Sequence, residues 1–144
     1  MVASRLRKLW HPERFQGSIS SRHYFEGWYY KLVDASEEHR MAIIPGIAMG
    51  ENLEQSHAFI QVFNGTTGDF TYITYELDDF SASRDEFTVS IADNVFSARE
   101  MCLDIDRQDR HITGVLHFDN TVPLPSRLFS PGIMGWYTFV PFME

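Results

Sequence analysis

Apolar and polar residues alternate with a period of two over much of the chain. Phe87, Val89 and Ile91 alternate with Glu86, Thr88 and Ser90; Met101, Leu103 and Ile105 alternate with Cys102, Asp104 and Asp106; Ile112, Leu116 and Phe118 alternate with His111, Thr113, Val115 and His117. Successive side chains of a strand point to opposite faces, so the pattern predicts half-buried antiparallel strands. Three further runs, Tyr24 to Val33, Met41 to Met49 and His57 to Phe63, are more continuously apolar. They read as strands with both faces covered, or with one face on a core and the other on a cavity.

Turn chemistry separates these runs. Asn64-Gly65-Thr66-Thr67-Gly68 reads as a glycine-containing hairpin loop, and Asp34 to Arg40, Asp78 to Asp85 and Asp106 to Arg110 are short polar connections. Glu51 to Gln55 fits one helical turn, and no long amphipathic helix is found. Thr121 to Pro131 carries Pro123, Pro125 and Pro131 and cannot be a central strand. An apolar run from Gly132 to Glu144 follows it, strand-like to the last residue. The expected fold class is all-β: an antiparallel meander closing into a sandwich, a barrel or an open barrel, with little helix. The domain reading is a basic arm over 1–21 and one β-barrel-like domain over 22–144.

Composition narrows the class. At 144 residues the chain is one domain, long enough to bury a core without disulfide or metal. Hydrophobic residues at 44% against 22% charged describe a folded chain, and no apolar stretch is long enough for a membrane helix. The single cysteine, Cys102, forbids an intrachain disulfide, and no secretory signal is apparent, so a reducing, cytoplasmic compartment is expected.

Net charge is −8, and it is unevenly spread. Up to Lys31 the basic residues are Arg5, Arg7, Lys8, Arg14, Arg22 and Lys31, against only Glu13 and Glu26. The remainder is strongly acidic, so nucleic acid is not an expected partner. The basic arm could touch an anionic membrane surface, or simply be solvated.

Aromatic residues make up 15% of the chain and concentrate in the strand-like runs, so they must be buried or line something. As a strand, Arg22 to Val33 puts Arg22, Tyr24, Glu26, Trp28 and Tyr30 on one face, and Phe25, Tyr29 and Val33 on the other, where Gly27 leaves a gap. Glu26 thus sits among three rings with Arg22 on its own side. Paired with Arg22 it would be a structural ion; unpaired, desolvation would keep it protonated and suited to general acid work. Metal binding has little behind it: His111 and His117 share a face but lie roughly 20 Å apart at the spacing of a strand, and no His-x-His, HExxH or paired Cys occurs. Nucleotide-binding glycine motifs and a GxSxG elbow are also missing.

Three stretches carry a resemblance. Tyr24-Phe25-Glu26-Gly27-Trp28-Tyr29-Tyr30-Lys31, then His57-Ala58-Phe59-Ile60-Gln61-Val62, then Pro131-Gly132-Ile133-Met134-Gly135-Trp136-Tyr137 with Val140-Pro141-Phe142-Met143-Glu144, together resemble the tocopherol cyclase family and its bacterial relatives. The intervening Phe96-Ser97 matches too, so the likeness covers Arg22 to Glu144. The resemblance implies a calycin fold, β-barrels related to lipocalins. It implies closure of a prenylated quinol to a chromanol, by protonating an alkene and trapping the tertiary cation with the quinol oxygen, without cofactor or metal. Glu26 is then the catalytic acid, and Arg22, Tyr24, Trp28, Tyr30, Trp136 and Tyr137 bind the lipophilic ligand. Family members run on beyond Val140-Pro141-Phe142-Met143-Glu144, so the resemblance also implies a truncated or shortened relative. Two other classes stand beside the cyclase: a lipocalin-like barrel that holds an apolar small molecule without chemistry, and an interaction protein that self-associates through its C-terminal strand.

Overall fold

Pro45 decides where the first strand breaks. In the computed structural model, which describes residues 11–107 and 110–123, Tyr24–Gly27 (β1) and Tyr30–Val33 (β2) both pair antiparallel with Arg40–Met49 (β3). The register is continuous across them, Gly27 facing Gly46 and Tyr30 facing Ile43. The gap falls opposite Pro45, which has no N–H to give to the ladder. The bond that remains there runs from the Trp28 N–H to the Pro45 carbonyl at 2.9 Å. The expected Tyr24 to Val33 strand is therefore one strand in direction and two in hydrogen bonding.

His57–Asn64 (β4) and Phe70–Tyr75 (β5) complete the first sheet, in which β1 and β2 lie end to end along β3, followed by β4 and β5. Phe80–Ala82 (β6), Thr88–Ile91 (β7), Asn94–Ser97 (β8), Glu100–Arg107 (β9) and Arg110–His117 (β10) form the second sheet in sequence order. Every pairing is antiparallel. Among the described residues the helical elements are two single 3₁₀ turns, Leu53–Gln55 and Leu77–Asp79, the first within the expected Glu51 to Gln55 turn. The fold is all-β. Among the described residues no helix is long and apolar enough to cross a membrane.

One apolar cluster joins the two sheets. The first sheet contributes Trp28, Ile43, Ile47, Ile60, Val62 and Ile73, the second Phe80, Val89, Ile91, Phe96, Met101 and Ile105. Asn94 is fully buried with them, and its amide is satisfied on both sides: it donates to the Ile91 carbonyl at 3.0 Å and accepts from the Asp104 N–H at 2.9 Å. That spans the β7–β8 turn and ties it to β9, so the buried polar group carries no unmet hydrogen bond.

Three expectations need correction. The Asp78 to Asp85 connection contains β6, a three-residue strand held by the inward Phe80. The runs Tyr24 to Val33 and His57 to Phe63 do not have both faces covered: Phe25, Tyr29, Val33 and Phe63 are exposed on the outer face of the first sheet. In β10, Val115 and Leu116 are both exposed although they point to opposite faces, so this strand is less buried than its alternation suggests.

Candidate functional site

Glu26 lies on the inner face of the first sheet, opposite Ile47 and in line with Tyr24, Trp28 and Tyr30. The alternation expected for these four residues is observed: they are buried or half-buried, while Phe25, Gly27 and Tyr29 between them are exposed. The strand direction alone produces this, because Tyr24 to Val33 keeps one register despite the break at Pro45.

Arg22 does not share that face. His23 adopts φ 52°, a left-handed turn that ends the extended chain before β1, so the period of two does not reach back to position 22. Arg22 is exposed and lines a surface cavity of about 620 Å³ with Ile19, Met49, Glu51 and Leu53. Among the described residues no Arg22–Glu26 ion pair forms, so the structural ion expected from the sequence is not made by that arginine.

A different partner holds the carboxylate. The Gln16 N–H donates to both Glu26 oxygens at 3.1 Å, the Gly17 N–H donates to Oε2 at 3.2 Å, and the Tyr24 hydroxyl also donates to Oε2. The same segment is pinned further along, where the Trp28 indole N–H donates to the Glu13 carbonyl at 2.8 Å. Phe15 inserts beside it, 5.3 Å from Phe80 and 6.5 Å from Trp28 between ring centroids. Residues 13–17, which the sequence suggested were part of a solvated basic arm, therefore form a strap across the inner face. Gly17 makes this approach possible: a Cβ there would stand 2.3 Å from the Tyr24 ring.

Trp28 and Tyr30 pack on further rings. Trp28 stacks on Phe87 at 5.9 Å; Tyr30 stacks on Phe87 at 6.2 Å and Phe118 at 5.8 Å, and tilts against Phe96 at 6.0 Å. Its hydroxyl crosses to the second sheet and donates to the Ser97 carbonyl at 2.9 Å. Of the residues that complete the site, Phe15, Gln16 and Gly17 were not singled out from the sequence, while Phe87 and Phe118 were read only as strand positions and Phe96 as part of the resemblance. The signal available for the strap was Phe15 two residues before Gly17, an aromatic near a flexible residue in an otherwise basic leader. Trp136 and Tyr137 lie outside the described residues. A second cavity of about 440 Å³ sits between His57, Tyr75, Glu76, Asp79 and Arg107. Neither cavity is lined by Glu26, Tyr24, Trp28 or Tyr30.

Both tyrosines are held in the phenol form. Burial comes first for Tyr24, then the hydrogen bond to Glu26 and its negative charge, and together they push the hydroxyl far above the ordinary tyrosine range. Burial alone pushes Tyr30 up. A raised acid stabilises the fold below its unfolded pKa, and that contribution is lost as pH rises, because the unfolded tyrosines ionise near 10 and the folded ones do not. The expected result is a melting temperature that falls steeply above about pH 10, with a shallower fall in Tyr30→Phe. An equal slope in wild type and Tyr30→Phe would remove this residue from the account.

No protein-family model, curated protein or solved structure matches the chain.

Proposed function

We propose that this chain acts as a tocopherol cyclase-like barrel on a lipophilic prenylated quinol, with Glu26 as the proton donor. The observation that carries the proposal is the Glu26 carboxyl, bonded to the Tyr24 hydroxyl, in one inward row with Trp28 and Tyr30 and their ring neighbours. Closing a chromanol ring is an isomerisation, so the proton account must close on itself. Glu26 gives its proton to the less substituted alkene carbon; the tertiary carbon becomes cationic; the quinol oxygen bonds to it and its proton returns to the carboxylate. No redox partner is needed.

Each neighbour has a use in that cycle. The Gln16 and Gly17 N–H groups bond the ionised form of Glu26, so the cycle starts by loading a proton onto the carboxylate, and the same donors make the loaded carboxyl a stronger acid and stabilise the charge left when the proton leaves. Tyr24, locked as a phenol, orients the carboxyl.

The test is turnover of a prenylated benzoquinol to its chromanol by the whole chain. Glu26→Gln is expected to lower turnover by at least ~100-fold, the lower end of what a positioned general acid supplies. Turnover unchanged in that variant ends the assignment of Glu26. A second reading, kept from the sequence, is an apolar-ligand barrel without chemistry. It predicts retention of the quinol with no product in wild type and Glu26→Gln alike.

A further inference from the structure

The outer face of the first sheet is unlike the rest of this acidic chain. Residues paired across antiparallel strands share a face, so the register gives the outward rows directly. They run Phe25, Ala48, His57; Gly27, Gly46, Phe59, Thr74; Tyr29, Ile44, Gln61, Tyr72; and Lys31, Ala42, Phe63, Phe70; Val33 pairs with Arg40 at the end. None of these positions is Asp or Glu, although the chain holds 20 of them. The charged groups on the face are Lys31 and Arg40, with His57 at the far corner. The acids that border the face are Asp34, Glu37 and Glu38 near Arg40, Asp69 beside Phe70, and Glu54 and Glu76, which line a cavity with His57 and Thr74 at the far corner.

The apolar side chains on this face are large and open to solvent. Phe25 and Tyr29 are each 65% exposed, Phe70 57%, and Phe63 and Tyr72 41%. Phe59 is fully buried because Phe25 and Tyr72 stack on either side of it, at 5.4 Å and 5.2 Å. Phe25, Phe59, Tyr72 and His57 make one ring cluster, and Phe63 and Phe70 pair across β4 and β5 at the other end of the face.

From this composition we infer that the outer face of the first sheet docks on the surface of an anionic lipid bilayer. Phenylalanine and tyrosine favour the depth of the headgroup region, where one end of the ring is dry and the other wet. Lys31 and Arg40 supply attraction to anionic headgroups, and the lack of carboxylates removes the repulsion that the rest of the chain would meet. The contact is independent of the chemistry assigned to Glu26, whose side chain points to the opposite face.

Sedimentation of the whole chain with phosphatidylcholine vesicles, with and without phosphatidylserine, tests the inference. Binding is expected with phosphatidylserine, falling as salt is added. Lys31→Ala and Arg40→Ala should each weaken it about fivefold, and Phe63→Ser and Phe70→Ser about tenfold each. Phe25→Ser, at the other end of the face, gives the same reading if either of those variants fails to fold. Three results would overturn the inference. One is no sedimentation with phosphatidylserine vesicles at low salt. The second is binding that survives these substitutions and is lost in Arg5→Gln, Arg7→Gln, Lys8→Gln, which would make the basic arm the contact. The third is a dimer that Phe63→Ser dissolves in a chain that ignores vesicles, which would make the face an interface between two copies.

Discussion

Phe96→Ala is expected to lower stability by about 3–5 kcal/mol, the range for removing a fully buried phenylalanine and leaving a cavity. Phe96 is wholly buried and stands where the sheets meet, beside Tyr30. Relaxation cannot refill the space cheaply, because Tyr30 is tethered to the Ser97 carbonyl and stacked on Phe87 and Phe118. The neighbouring rings therefore lose contact with Phe96 without gaining another partner. Chemical denaturation of the variant measures the loss, and a change under about 1 kcal/mol would show that the cluster repacks.

Gly46→Ala is expected to cost at least about 3 kcal/mol, the upper end of ordinary overpacking. A Cβ at this position would lie 2.3 Å from the Phe59 ring and 2.6 Å from the Glu26 carbonyl oxygen. The ring could swing away, but the carbonyl belongs to the neighbouring strand. Relief then requires β1 and β3 to separate where Gly27 and Gly46 face each other. Phe59 covers the slot left by that glycine pair, a ring compensating for side chains that two adjacent strands lack. The measurement is again denaturation, joined by hydrogen exchange of β1, which should accelerate selectively. Wild-type stability in the alanine variant would contradict the packing described.

The strand pattern was legible wherever a run had its own period. Met101 to Asp106 alternates cleanly and forms β9; Asn64 to Gly68 announces the β4–β5 turn by its residue types. The inner face Tyr24, Glu26, Trp28, Tyr30 followed from spacing alone. What could not be read depended on residues distant in sequence. Nothing within Tyr24 to Val33 reveals that Pro45 will stand opposite Trp28. Arg22 looked like a neighbour of Glu26 because a left-handed residue at position 23 leaves no mark on hydrophobic period. The strap escaped notice because its bonds use backbone N–H groups of Gln16 and Gly17, which every residue but proline possesses. β6 is too short for any periodicity to register.

The order of strands has a kinetic consequence. Among the described residues each rung in both sheets joins segments adjacent along the chain, with β1 and β2 counting as one row, and no connection within either sheet skips over a strand. Loop closures are short, so each meander can zip hairpin by hairpin without waiting for remote segments. The first sheet spans residues 24–75 and the second 80–117, and each begins and ends before or after the other. Assembly thus divides into two rapid local events and a slower collision that buries the rings around Tyr30. Until that collision, both half-formed cores present apolar surface to water, and this is the interval in which the chain is most exposed to aggregation.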